Sequence, residues 1–289
     1  KRNGLKASGN KRKRNKIFNY ILLYFKAIPL IIKNDFIYIF YPTAFKYIAI
    51  LCRVLGKKYG FYIRGMQGVN DKTSHRIYKN AYTIATVSDY FTQQINKIVN
   101  RKIAYTIRPM IPLTEKDIVT NRKYIFKKKY NLLYLGRTTN DKGIIELLKA
   151  IAILKENHHK FFLKIVGNGE YIDELKKLSN SLNLNDRVSF EGAVYDPIKV
   201  KEYYVNADIY ILPTYHEGFP RTLYEAMIYG TPIITTFVGG IPALMRDRFN
   251  CLEIQVKSID SIVDVLTYAM NNYFEMEQLA KNATNTVTS

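Results

Sequence analysis

Residues 131–254 repeat one pattern: a short apolar run, a tight turn, then a stretch with helical periodicity. The apolar runs are Leu132–Leu135, Phe162–Val166, Val188–Phe190, Ile209–Leu212, Ile233–Thr235 and Leu252–Ile254. Each is too short for a helix and is bounded by turn-forming or polar residues, so each reads as a buried strand. Between them Ile144–Glu156, Tyr171–Leu182, Ile198–Asn206, Thr222–Tyr229 and Ile241–Arg246 read as helices, and Ser258 is placed to cap a last one. Strands alternating with helices need crossovers, which makes the sheet parallel and the fold α/β, doubly wound. Such a fold binds its ligand at the carboxyl ends of the strands, so the strand-to-helix turns are where chemistry is sought.

The first half alternates more loosely. Asp35–Phe40 reads as a strand ended by Pro42, and Thr43 caps a helix running to Leu55. Tyr59–Ile63, Thr83–Val87 and Lys102–Ile107 read as further strands, and Ser88 caps a helix through Val99. The polar, basic segment Asn121–Lys129 separates two domains, 1–123 and 131–289. The chain lacks a starting methionine and stops abruptly over 283–289, which reads as a fragment whose early strands are missing.

Charge divides near the same place. Residues 1–130 hold 28 Lys and Arg against 5 Asp and Glu, a net of +23, and residues 131–289 hold 16 against 19, a net of −3. The first half is therefore drawn to an anion: nucleic acid, an acidic membrane surface or a lipid-linked phosphate all fit, as does a solubilising basic tail over Lys1–Lys16. A membrane span needs ~20 predominantly apolar residues. Ile17–Ile32 is interrupted by Lys26 and Pro29, and Phe36–Phe45 is uncharged for only ten residues, so neither qualifies. No small-residue cleavage site follows an apolar run, so no secretory signal is read. Basic and aromatic residues mixed over Lys11–Tyr47 suit peripheral attachment to headgroups.

Three turns carry candidate chemistry. In the first, Gly136-Arg137 is followed by Lys142-Gly143, placing two cations beside a helix start that attracts anions. A diphosphate suits that site. The second, Gly167-Asn168-Gly169, lets a ligand approach the backbone, but Ile172 stands where a dinucleotide fingerprint needs its third glycine. A plain turn fits that stretch equally. The third is Glu217–Met227, EGFPRTLYEAM, where Gly218 and Phe219 offer amides at a helix start and Glu217 and Glu225 can accept from sugar hydroxyls. Eight residues along a helix span ~12 Å, whereas paired hydrolase carboxylates stand ~5–9.5 Å apart. Two separate contacts on one extended ligand fit better than an acid/base pair.

Other constellations are missing. Cys52 and Cys251 have no disulfide or zinc spacing, and His75, His158, His159 and His216 form no metal motif. There is no Walker loop, no nucleophile elbow and no Asp-x-Asp to hold a divalent ion, so no metal and no cofactor are expected. The 24 tyrosines fall mainly on strand and helix faces and read as core rather than base-stacking residues.

Taken together, GR…KG at 136–143, VxFxG at 188–192, ADIYILPTYHEGFPRTLYEAMIYGTPII from Ala207 to Ile234, and Gly239-Gly240 resemble glycosyltransferase family 4. The resemblance covers nearly all of 131–254. DFIYIFYP, the strand ending in Arg64-Gly65, and TVSDYF at 86–91 resemble that family's acceptor domain, with Arg64 where many relatives have histidine. It implies a GT-B architecture: two Rossmann-like domains facing a cleft, with a partial acceptor domain over 1–123 and a donor domain over 131–289. The implied reaction is transfer of a hexose-type sugar, with retained anomeric configuration, from a nucleotide diphosphate-sugar, UDP favoured over GDP. The implied acceptor is a glycan or lipid-linked molecule used in bacterial surface polysaccharide synthesis. Arg137 and Lys142 would bind the diphosphate, Glu225 the ribose, and Glu217 with Gly218 and Phe219 the sugar. Gly136, Gly167, Gly169, Thr222 and Leu223 would line the donor site, Phe190 to Val194 would lie near the base, and Arg64 and Ser88 would face the acceptor. A cytoplasmic protein, peripheral on the inner face of the cell membrane, follows, with an anionic membrane surface as partner and no nucleic acid. An epimerase or phosphorylase of the same architecture and an anionic-surface or nucleic-acid binding module are the other readings.

Overall fold

The computed structural model describes residues 19, 21–40, 45–63, 71–87, 89–107, 113–218 and 220–288. The chain divides into two compact units, Lys1–Arg108 and Pro109–Ser289.

In the first unit a helix over 21–33 (α1) precedes β1 (Phe36–Ile39), α2 (Ile48–Val54), β2 (Lys58–Ile63), α3 (Lys72–Lys79), β3 (Thr83–Thr86), α4 (Asp89–Val99) and β4 (Ala104–Thr106). The four strands are parallel and lie in chain order, with Phe36 opposite Lys58, Gly60 opposite Thr83 and Ile84 opposite Ala104. Phe61, Ile63, Ile84, Cys52 and Ile95 close the core against the helices. All four expected strands are present. Helices α1 and α3 were not anticipated: α1 looked like a broken apolar run, and α3 is mostly polar. Asp71 starts α3 by accepting from the Ser74 amide, 2.9 Å, and also pairs with Lys46, 3.0 Å. The expected caps Thr43 and Ser88 lie outside the described residues.

The second unit runs β5 (Tyr130–Leu135), α5 (Ile144–Glu156), β6 (Phe161–Val166), α6 (Ile172–Ser181), β7 (Val188–Gly192), α7 (Pro197–Asn206), β8 (Ile209–Leu212), α8 (Arg221–Ile228), β9 (Ile233–Thr235), β10 (Leu252–Glu253), α9 (Ile259–Asn271) and α10 (Met276–Thr288). Its six parallel strands are ordered β10-β9-β8-β5-β6-β7. The central strands are buried on both faces, which is why their sequences read as continuous apolar runs. Residues 113–127 pack along this unit. Arg122 donates to the carbonyls of Tyr204 and Tyr229, each at 3.2 Å, and to that of Ala207, closing the ends of α7 and α8.

One element of this unit differs from expectation. Ile241–Arg246 is not a helix but a single turn, Ile241–Ala243. The Asn250 side chain takes the Arg246 amide at 2.7 Å and donates to the Leu244 carbonyl at 2.8 Å, so the ladder stops there. By contrast α8 begins as expected, at Arg221 after Pro220 and one residue before Thr222, which leaves Glu217 on the preceding loop. No helix among the described residues is long and apolar enough to cross a membrane.

Candidate functional site

The strand order places a topological switch point between β5 and β8: the chain moves outward through β6 and β7 on one side and through β9 and β10 on the other. The loops leaving β5 and β8 diverge there and open a crevice at the carboxyl edge. These loops are 136–143 and 213–220, two of the three turns that the sequence singled out.

Close backbone contacts hold the loops in place. Tyr215 donates its amide to the Asp141 carbonyl, 2.7 Å, and Thr138 donates to the Asn168 carbonyl, 3.1 Å. Gly167 has φ +138°, and a Cβ there would lie 1.8 Å from the Gly136 carbonyl oxygen. Gly239 has φ +59°, and its Cβ would meet the Glu217 carbonyl oxygen at 1.7 Å. Any side chain at either position would push a site loop away. Gly169 packs against Thr138, and Gly218 accepts from the Gly240 amide at 2.7 Å.

Lys142 and Glu217 meet across the crevice. Lys142 is only 4% exposed. It donates to Glu217 Oε1 at 2.5 Å and to the His216 carbonyl at 3.3 Å, and it lies 3.1 Å from Asp141 Oδ2. Burial pushes the Asp141 carboxyl up, but bonds from Thr139 and Lys142 outweigh it and hold the group below its ordinary range. Lys142 is matched by carboxylates, and only Arg137 is exposed, with no acidic partner among the described residues.

Beneath the loops lie three buried tyrosines from three elements. Tyr134 on β5 donates to the Arg137 carbonyl, 2.6 Å. Tyr210 on β8 donates to Thr222 Oγ1, 2.7 Å. Tyr204 on α7 donates to Glu225 Oε2, 2.9 Å, and lies 3.2 Å from the Thr222 carbonyl. Burial pushes all three phenols above their ordinary pKa, so they stay neutral donors. Burial also raises the Glu225 carboxyl, opposed by the Tyr204 hydrogen bond and the nearby Arg221 charge. Reading these tyrosines as core is right as to burial but misses their function as props. The available signal was their placement: a tyrosine inside a fully buried strand such as IYIL must find an acceptor, and the nearest lie at the strand end.

Thr138 was also missed. Its side chain is fully buried, and its hydroxyl has no hydrogen-bond partner among the described residues. Thr222 and Glu225 are half-buried at the start of α8, whereas Leu223 is wholly buried and its amide donates to the Pro220 carbonyl, 3.1 Å. Phe190 and Val194, half-buried, lie on and just after β7, beyond β6 from the crevice. Arg64, Ser88 and Phe219 lie outside the described residues.

Known proteins share this architecture. The structures of HepE from Anabaena, solved with UDP, with UDP and glucose, and with UDP-glucose, superpose with TM-scores of 0.72–0.73, covering 92% of this chain and 78–79% of HepE at 18–19% identity. That likeness establishes the GT-B fold. In sequence, an uncharacterized glycosyltransferase of Methanocaldococcus jannaschii is 31% identical over 152 residues, 53% of this chain and 38% of that protein. The O-antigen biosynthesis glycosyltransferase WclY of Escherichia coli is 27% identical over 175 residues, 57% of this chain and 46% of WclY. The matched region thus spans less than half the length of these relatives. Residues 116–286 match the profile of the glycosyl transferases group 1, and the chain belongs to that family.

Proposed function

We propose that this protein transfers a sugar, with retention of configuration, from a nucleotide diphosphate-sugar to a glycan or lipid-linked acceptor in surface polysaccharide synthesis. The observation that carries this reading is the meeting of Lys142 and Glu217 across the switch point, beside the exposed Arg137. A group that binds a departing diphosphate and a group that accepts from sugar hydroxyls are then adjacent, as a donor's own bond would require. That HepE binds UDP and UDP-glucose supports UDP as the nucleotide, with GDP as the other choice.

On this reading the Lys142 ammonium, already engaged three ways, exchanges Glu217 for a diphosphate oxygen, and Glu217 turns to the sugar hydroxyls. Gly218 contributes its amide beside it, and Phe219, outside the described residues, is assigned the same role. Glu225 accepts from the ribose, with Thr222 next to it and Leu223 seating the helix. Gly136, Gly167 and Gly169 let the phosphates approach the backbone, and Phe190 to Val194 border the base. The bond from the anomeric carbon to the β-phosphate oxygen breaks, and the electron pair leaves with the diphosphate. Arg137 and Lys142 neutralise that charge, the acceptor oxygen bonds to the same face of the sugar, and its proton goes to the departing phosphate or solvent. Arg64 and Ser88, outside the described residues, are assigned to acceptor binding.

A panel of UDP- and GDP-sugars, with diphosphate release as readout, tests this proposal. Arg137→Ala, Lys142→Ala and Glu225→Ala are each expected to lower turnover or donor affinity, the two cation changes by about 10²–10³ in rate. Turnover that survives all three changes would sink the assigned roles.

A further inference from the structure

Glu225 is held by only one of its carboxylate oxygens. Oε2 accepts from the Tyr204 phenol at 2.9 Å, while Oε1 has no hydrogen-bond partner among the described residues. The phenol is itself immobilised. Tyr204 is fully buried in the last turns of α7, its ring lies against those of Tyr210, 5.5 Å between centroids, and Tyr229, 5.6 Å, and its carbonyl accepts from Arg122 and from Thr231 Oγ1 at 2.8 Å. A short helix such as α8 does not by itself fix the rotamer of a half-buried glutamate. A phenol anchored from a different helix does, because it ties the carboxylate to a second element rather than to its own backbone.

We propose that Tyr204 is the positioning residue for Glu225: it pins one oxygen and leaves the other directed to a ligand hydroxyl. The proposal rests on the reading of Glu225 as the ribose contact. Its logic is electrostatic as well as geometric. The groups that bear on Glu225 are Tyr204 from α7, Tyr210 from β8, Arg221 at the start of α8 and Tyr229 just past its end. Of these, only Tyr204 donates a hydrogen bond to the carboxylate. A buried carboxylate that must accept from a ligand has to stay ionised against the pull of burial, and a neutral donor on its far oxygen favours that state. Neither Tyr210 nor Tyr229 can substitute: the Tyr210 hydroxyl is directed to Thr222 Oγ1, and the Tyr229 ring packs on Tyr204.

Tyr204→Phe in the full chain tests the idea without opening a large cavity, with Glu225→Gln and the double variant beside it. Two readouts are needed: carbon NMR titration of the Glu225 carboxyl, assigned by its loss in Glu225→Gln, and calorimetric dissociation constants for UDP and GDP between pH 5 and 8. Tyr204→Phe is expected to move the Glu225 titration to higher pH. It should also weaken nucleotide binding about tenfold at the acidic end, the size of one lost hydrogen bond to a charged group. In the Glu225→Gln background the same change should cost nothing further, because Tyr204 acts through that carboxylate. An unmoved Glu225 titration overturns the proposal, as does an equal loss of binding in the Glu225→Gln background, which would mark a general packing role. If the titration moves but neither nucleotide responds to Glu225→Gln, the hold of Tyr204 on Glu225 stands and the ribose reading falls.

Discussion

The Lys142 ammonium has three protein partners: it donates to Glu217 and the His216 carbonyl and forms an ion pair with Asp141. A buried cation so fully engaged is well matched but adds little net stability, because desolvation opposes the attraction. It is suited to exchange, since an incoming phosphate replaces one anionic partner with another at small cost. Thr138, two positions after Gly136, is the opposite case. Its hydroxyl is buried and unpartnered among the described residues. Such a group costs about 1–3 kcal/mol, so Thr138→Val, which keeps the shape and removes the hydroxyl, should stabilise the protein by about 1 kcal/mol in urea unfolding. A loss of stability would mean that the hydroxyl has an acceptor in solution. Nothing in the residue order marks Thr138 as an orphan, because satisfaction depends on what surrounds a side chain after folding.

Among elements, the strap over 113–127 stands out because it has almost no regular structure, yet it is tied down along its length. Tyr124 donates to the Gly230 carbonyl at 2.7 Å, and Arg122 reaches the Tyr204, Ala207 and Tyr229 carbonyls and Thr231 Oγ1. These carbonyls lie at or just past helix ends, where no further helical turn supplies amides to them. Arg122→Ala is expected to destabilise the second unit by about 2–3 kcal/mol, read as a lower urea midpoint. Arg122→Lys should recover only part of that, since one ammonium cannot span the same fork of acceptors. A midpoint unchanged by Arg122→Ala would show that water satisfies these carbonyls equally well. A basic, polar stretch between two apolar strands reads as a linker, as 121–129 does, until the carbonyls that it serves are known.

For the molecule as a whole, the largest physical asymmetry is charge. Residues 1–130 carry +23 and the remainder −3. The described part of the basic half also exposes apolar side chains on α1, with Phe25 67% and Leu30 63% accessible, beside Lys26 and Lys33. Apolar and basic side chains mixed on one helix suit an anionic lipid surface. The chain is expected to float with phosphatidylglycerol vesicles and not with phosphatidylcholine vesicles, and to be released by about 0.5 M salt, where charges more than a few ångströms apart are screened. Equal flotation with both vesicle types would argue against a charge-directed membrane partner.

The sequence by itself determined the alternation of strands and helices, the parallel sheets and the three turns, because burial on both faces of a central strand and a tight turn at its end each demand particular residue types locally. Asp71 capping α3 and Asn250 halting the chain after Ile241 are also local, but they hinge on which of several competing hydrogen bonds wins. Only the tertiary structure decided who faces whom. The β5-β8 adjacency brings Lys142 onto Glu217, 75 positions apart, and the packing of α7 against α8 sets the Tyr204 phenol under Glu225, 21 positions away. A loop's residue types show which charges it carries. Whether such a charge is open, paired or propped depends on partners contributed by distant segments.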